Sequence, residues 1–186
     1  MKKIFLSVLI LFFSFLNIAA VYKIDAEKNA YLHNNKGINA MKEKNYYAAI
    51  KEFEIAIQLN PKTQATAVYY NNLGRTYLII GYTKMAQSCF ENAVKQNPLN
   101  LENYILLVNT FKKRGVLDNK LKEYKSNKTT PLNEIMVGII YVEKGDLKAG
   151  ITILDNFCTK EPDLVITPGV RNYIKSKAPK YRPNFD

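Results

Sequence analysis

Two segments of the chain can be aligned with each other along their whole length. Residues 30–61 and 67–98 carry small, aromatic and proline residues in the same order, and every matched pair is offset by 37 residues. The pairs are Gly37 and Gly74, Ala49 and Ala86, Phe53 and Phe90, Ala56 and Ala93, and Pro61 and Pro98. A single helix pair cannot bury its apolar face alone, so repetition at this period predicts a stack of helical repeats.

Each segment also shows the apolar spacing of two helices. Apolar residues between Tyr46 and Leu59 recur every three or four residues, which is typical of an amphipathic helix. Asn60-Pro61 ends this helix, because a helix usually stops at or before the residue that precedes proline. The sequence therefore predicts two helices in each repeat.

Two further units come after the matched pair. The third begins at Leu101, and its second helix is short, rich in lysine and expected to lack the small and aromatic positions. The fourth contains Gly138 and closes at Pro162. A last helix from Thr167, with Tyr173 and Ile174 on its apolar face, is expected to cover the open end of the stack.

These residues resemble the tetratricopeptide repeat, a unit of two helices with a closing proline. The resemblance implies an all-α, right-handed α-solenoid of about four repeats, the third degenerate, with a C-terminal capping helix. The expected repeats are residues 30–63, 67–100, 101–130 and 131–164, together forming a solenoid over residues 30–164. Residues 21–29 then lead into the first helix, and residues 165–186 form the capping helix and a basic tail.

The N-terminus has the layout of an export signal. Lys2 and Lys3 precede an apolar run, and small residues follow at Ala19 and Ala20. Residues 1–20 are therefore expected to be a signal peptide or an N-terminal membrane anchor. The run counted to Val21 has 18 residues, the lower limit for a span, so both alternatives stay open. Either one exports the body of the protein across the cytoplasmic membrane, to a periplasmic, secreted or tethered location.

The family resemblance also implies a binding groove lined by the first helix of each repeat. Five residues at outward-facing positions are the candidate partner-binding residues: Asn34, Asn71, Arg75, Asn109 and Lys112. Asparagine amides can both donate to and accept from a peptide backbone, and Arg75 can pair with a carboxylate. The carboxylate clamp of some family members is absent here, because Asn72 fits one clamp position but Ile38 and Glu102 occupy others.

Catalytic and metal-binding patterns are absent from the sequence. His33 is the single histidine and falls at a packing position, and no nucleophile elbow, glycine-rich phosphate loop or metal-ligand spacing is found. Cys89 and Cys158 are expected to be buried and too far apart for a disulfide. We therefore expect no enzymatic activity, no cofactor and no metal.

Three functions agree with this pattern. The first is a protein–protein interaction scaffold that binds a peptide or a partner helix in the groove. The second is a basic solenoid that binds an anionic polymer or membrane surface. The net charge is +11, and residues 1–20 hold two lysines and no acid, so the exported body would carry +9. The third is a structural subunit that self-associates through the ends of the solenoid. Sequence-specific recognition of nucleic acid is not expected, since base-stacking motifs are lacking.

Overall fold

The computed structural model describes residues 25–127 and 130–182, and their regular structure is entirely α-helical. The described helices are α1 (25–42), α2 (Tyr46–Leu59), α3 (Gln64–Ile79), α4 (Thr83–Gln96), α5 (Leu101–Lys113), α6 (Leu117–Ser126), α7 (Leu132–Lys144), α8 (Leu147–Lys160) and α9 (Thr167–Lys177). The predicted all-α repeat fold is confirmed. The predicted export signal lies outside the described residues. Within those ranges, no helix combines the length and the apolar character that a membrane span requires.

The chain divides into two compact units, Met1–Lys62 and Thr63–Asp186. In the described part of the first unit, α1 and α2 form one helix pair. In the second unit, α3 packs on α4 and α7 packs on α8, while α4 contacts α5 and α6 contacts α7. Helix α9 packs on α8.

A small residue lies where the two helices of a repeat cross. In the first unit, a Cβ added to Gly37 would lie 2.6 Å from the ring of Phe53. In the second unit, a Cβ on Gly74 would lie 2.7 Å from the ring of Phe90. Both phenylalanines are completely buried. The glycines are therefore required because the phenylalanine rings occupy the space of a side chain.

The third repeat replaces this glycine with Val108, which is completely buried. The expectation that its second helix lacks the aromatic position is wrong. Tyr124 lies at the same spacing from Val108 as Phe90 lies from Gly74, and its ring centroid is 6.4 Å from that of Phe111. Yet α6 has only 10 residues, and none of them is buried. We attribute this loose packing to the bulk of Val108, which keeps α6 away from α5.

The fourth repeat brings two backbones together. A Cβ on Gly138 would lie 2.6 Å from Leu154 Cγ, and a Cβ on Gly150 would lie 2.7 Å from the carbonyl oxygen of Gly138. Gly150 also faces Val142, whose Cγ2 would be 2.6 Å from the added atom. Here both helices need a residue without a side chain.

Helix α9 covers more of the molecule than the end of the stack. Val170 and Ile174 are buried, and a Cβ on Gly169 would lie 3.5 Å from the Cβ of Leu101 at the start of α5. Lys177 near its end lies 3.4 Å from Glu143 of α7. The capping helix therefore contacts α5, α7 and α8.

Substitution of Gly150 by alanine tests the backbone contact. We expect Gly150→Ala to lower the free energy of unfolding by about 1–3 kcal/mol, because the new methyl group would overlap the Gly138 carbonyl. Gly169→Ala is the matched control, since its Cβ meets only ordinary contacts and alanine favours a helix by up to about 1 kcal/mol. Urea unfolding measures both variants, and equal effects would contradict the close approach.

Candidate binding face

The first helices of the repeats in the second unit are neighbours, because α3 contacts α5 and α5 contacts α7. Side chains from these three helices form one surface, which we call the first-helix face. Its members are Val68, Arg75, Glu102, Asn109, Lys112 and Glu143. Three of the five predicted partner-binding residues belong to it, namely Arg75, Asn109 and Lys112.

Arg75 is exposed, as expected, but it is also paired. Its guanidinium donates a hydrogen bond to the carboxylate of Glu102 on the next first helix. The two side chains retain 44% and 57% of their exposure, so water reaches both partners. The ion pair therefore joins α3 to α5 while leaving the charged groups accessible.

Lys112 takes part in a second bridge between first helices. Its Nζ donates to Glu143 at 2.9 Å, and Lys177 of α9 lies 3.4 Å from the other carboxylate oxygen. Burial opposes ionisation of Glu143, but the hydrogen bond from Lys112 and the charge of Lys177 outweigh it and lower the pKa of Glu143. This carboxylate consequently stays charged between two lysines.

Asn71 was expected to point outward, and the structure buries it instead. It is 7% exposed, and its Nδ2 donates to Asn103 Oδ1 at 2.7 Å. Asn103 in turn donates to the carbonyl oxygens of Ala93, at 3.1 Å, and Asn97, at 2.8 Å, at the end of α4. Asn103, which Asn71 holds in place, thus adds a side-chain donor to two carbonyl groups at the end of α4. The Asn71 Oδ1 has no hydrogen-bond partner in the described part of the chain.

Asn34 belongs to the first unit and is also buried, at 5% exposure. Asn109 on α5 is half-buried, and within residues 25–127 and 130–182 its side chain makes no hydrogen bond. The partner-binding role of all five residues remains a prediction. Only Arg75, Asn109 and Lys112 combine a polar group with access from solvent.

Helix α7 contributes less to the face than the sequence predicts. Ile135 and Ile139 lie on this first helix, but both are completely buried instead of lining a groove. Helix α7 packs against α5, α6 and α8, which leaves these two side chains no access to solvent. Because both side chains are apolar, the sequence itself indicates that neighbouring helices cover this side of α7.

Lysine residues recur along the chain from Lys112 to Lys128, and acids compensate the charges of Lys112 and Lys120. Lys120 pairs with Glu123 at 2.8 Å, and Lys125 donates to the hydroxyl of Tyr141. Lys128 lies outside the described residues. The stretch is therefore not a continuous positive surface.

A cavity of about 530 Å³ lies beside the loosely packed α6. Tyr124, Val137 and Phe157 form its apolar part, and Lys160 and Glu134 at its rim form an ion pair at 3.1 Å. The sequence did not predict it. Its origin is the short α6, which fills less space than α4 or α8.

The side chains of the single histidine and the two cysteines are partly or fully buried. His33 Nδ1 lies 2.6 Å from Glu52 Oε2 in the first unit. Cys89 and Cys158 are buried, as expected, and form no disulfide with each other. The described residues contain no group of histidine, cysteine and acidic side chains that could hold a metal ion.

Comparison with known proteins assigns two segments of the chain to a family. Residues 30–63 and 67–98 match the family model of the Tetratricopeptide repeat, so these two segments are tetratricopeptide repeats. They coincide with α1–α2 and α3–α4, the two helix pairs that have the glycine–phenylalanine crossing. No curated protein sequence matches the chain significantly.

Several solved structures are similar. The tetratricopeptide repeat domain of Arabidopsis OM64 is 16% identical, with 81% of this chain and 98% of that chain covered and a TM-score of 0.44. MamA is 20% identical, with coverages of 77% and 84% and a TM-score of 0.48. YrrB, described as a tetratricopeptide repeat protein with an unusual peptide-binding site, is 14% identical, with coverages of 86% and 93% and a TM-score of 0.49.

The lowered pKa of Glu143 predicts an acid-dependent contribution to stability. The pKa of Glu143 is lower in the folded protein than in the unfolded chain, where glutamate has a pKa of about 4.3. The ionised carboxylate therefore stabilises the fold above that pH. This stabilisation is lost as the pH falls through the pKa of the folded state. We expect Glu143→Gln to cost about 0.5–1 kcal/mol at neutral pH and to weaken the loss of stability in acid. Urea unfolding at several pH values measures this effect. Glu102→Gln, which removes the more exposed acid, should change less, and an unaltered acid dependence in Glu143→Gln would contradict the assignment.

Cys158 is expected to resist thiol reagents in the folded protein. Burial raises the pKa of its thiol to about 11, although the charge of Arg171 acts in the opposite direction. The thiolate is the reactive form, so reaction at mildly alkaline pH should be at least about tenfold slower than for an ordinary thiol. A colorimetric thiol titration before and after unfolding measures this rate. Met85→Cys, at an exposed position, is the positive control, and rapid native labelling of Cys158 would contradict its burial.

Proposed function

We propose that the chain is a non-enzymatic scaffold that binds a peptide segment or a partner helix along the first-helix face. The observation that supports this proposal most directly is the pair of accessible cations, Arg75 and Lys112, on adjacent first helices. Tetratricopeptide repeats generally serve protein–protein interaction, and their packing positions leave the remaining surface free to vary.

The ion pairs on this face are easily exchanged. An exposed ion pair contributes about 0–1 kcal/mol, because water already solvates both charges. A carboxylate of a partner that replaces Glu102 beside Arg75 would therefore cost the fold little. The acids also hold the two cations in place before a partner arrives, which reduces the entropy lost on binding.

The face offers an apolar contact and an amide as well. Val68 lies two helical turns before Arg75 and is 49% exposed. The side-chain amide of Asn109 can donate hydrogen bonds from its NH2 group to a peptide backbone and accept them at its carbonyl oxygen. An extended segment or a helix with acidic and apolar side chains matches this combination.

The site of action belongs to the same proposal. Lys2, Lys3 and the apolar run after them support export across the cytoplasmic membrane, with the body either released or tethered. The partner would then be an exported protein or the exposed part of a membrane protein.

Crosslinking in intact cells tests the proposal. A photoreactive amino acid in place of Val68 captures the partner, and Arg75→Gln with Lys112→Gln removes both accessible cations. We expect capture to fall by about tenfold for each charge that bonds the partner. The matched control is Lys95→Gln with Lys122→Gln, which removes two exposed lysines from second helices.

Two results would contradict the assignment. Equal capture by the parent and the Arg75/Lys112 variant would exclude the first-helix face, and equal losses in both double variants would indicate a general effect of charge. Circular dichroism of each variant checks that its helices are intact.

A further inference from the structure

The turns between the two helices of each repeat form a continuous edge in the second unit. They are residues 79–85, 113–118 and 144–148, which we call the turn edge. Arg114 in the middle turn donates to Gln87, near the start of α4, and Lys144 in the last turn donates to Asp118 in the middle turn. These hydrogen bonds place the three turns side by side. Packed helices lie about 8–10 Å apart, so the row is roughly 20 Å long.

Large apolar side chains project from this edge. Ile79, Tyr82 and Met85 in the first turn are 53%, 48% and 48% exposed, and Leu147 in the last turn is 40% exposed. Neighbouring apolar residues that remain in water indicate an interaction surface when polar groups surround them. Each turn reverses through a glycine with positive φ, namely Gly81, Gly115 and Gly145, so the reversal itself does not require the apolar residues.

Unpaired lysines lie among the apolar side chains. Lys84, Lys113 and Lys148 are exposed, and none has a hydrogen bond or an ion pair within the described parts of the chain. Lys84 and Lys148 are each the second residue of a helix, α4 and α8. A positive charge in the first turn destabilises a helix through its dipole, and the first turn of α4 has no acid, while α8 has only its N-cap, Asp146. These two lysines therefore do not serve the stability of their helices.

Within the described parts of the chain, no acid of the turn edge forms an ion pair with these lysines. Asp118 bonds Lys144, and the Asp146 side chain accepts from the backbone N–H of Ala149 at 3.0 Å to cap α8. The edge thus presents exposed apolar groups and free positive charge.

We propose that the turn edge docks on the surface of an anionic phospholipid bilayer. Lysines attract acidic headgroups, while tyrosine and aliphatic side chains enter the interface between headgroups and acyl chains. The first and last turns of the row present exposed apolar side chains, so that a planar surface can contact both of them at once. The apolar N-terminal sequence between Ile4 and Val21 supports a position of the chain next to a membrane.

A fluorescent label reports docking separately from any attachment by the N-terminus. An environment-sensitive dye on Met85→Cys places the probe at the turn edge of the full chain. The same dye on Val165→Cys, 76% exposed and beyond the far end of α8, is the control position. The buried Cys89 and Cys158 leave the parent protein as the unlabelled control. Vesicles contain either phosphatidylcholine alone or phosphatidylcholine with phosphatidylglycerol.

With anionic vesicles, we expect the label at position 85 to shift to shorter wavelength and the label at 165 to stay unchanged. Lys84→Gln, Lys113→Gln and Lys148→Gln together should raise the lipid concentration needed for half of the shift by about 100-fold, since each lysine contributes about fivefold. The matched triple variant Lys95→Gln, Lys122→Gln and Lys175→Gln should remain close to the parent.

Three outcomes would overturn the proposal. They are an absent shift at position 85, equal shifts at both label positions, or equal effects of the two triple variants. A shift at position 85 without lipid that grows with protein concentration would also overturn it, because a second copy of the chain would then cover the edge.

Discussion

The close approach of two helices at a residue without a side chain is the constraint on which each regular repeat depends. At Gly37 and Gly74 the space of a Cβ is filled by a phenylalanine ring from the paired helix. The buried ring makes the contact area large, while the glycine keeps the helix axes close. A helix pair of this kind is narrow, and narrow pairs can stack so that each buries the apolar face of the next. The pairing of two helices within a repeat and the stacking of one repeat on the next therefore both depend on the glycine–phenylalanine contact.

The third repeat shows the effect of relaxing this constraint. Val108 fills the crossing with its own side chain, so Tyr124 remains half-buried where Phe53 and Phe90 are completely buried. Helix α6 then has no buried residue, and a cavity of about 530 Å³ opens beside it. The neighbouring repeats keep their packing because α5 contacts α7 directly. A stack thus tolerates one loose second helix when its first helices remain in contact.

The parts of the fold that the sequence predicts are those with a local pattern. The glycine–phenylalanine crossing recurs at a fixed spacing, so both its position and its purpose could be inferred. Tyr124 was missed because its helix is short and rich in lysine, which obscures the single aromatic position. The buried position of Asn71 depends on its partner Asn103, and Ile135 is buried on a helix that packs against α5, α6 and α8. Such contacts join residues far apart in the chain, where an outward-facing position in one helix gives no information about the element that covers it.

The two proposed binding surfaces differ in whether their cations are paired with acids. On the first-helix face, Arg75 and Lys112 each have an acid from the neighbouring helix, so a partner must exchange one carboxylate for another. Such an exchange leaves the number of neutralised charges unchanged, and specificity must come from the shape of the partner and from its contacts with Val68 and Asn109. On the turn edge, Lys84, Lys113 and Lys148 have no acid to exchange, so an anionic surface gains their full attraction. Paired cations therefore suit the selective recognition of a peptide, whereas unpaired cations suit adhesion to a surface that is charged throughout.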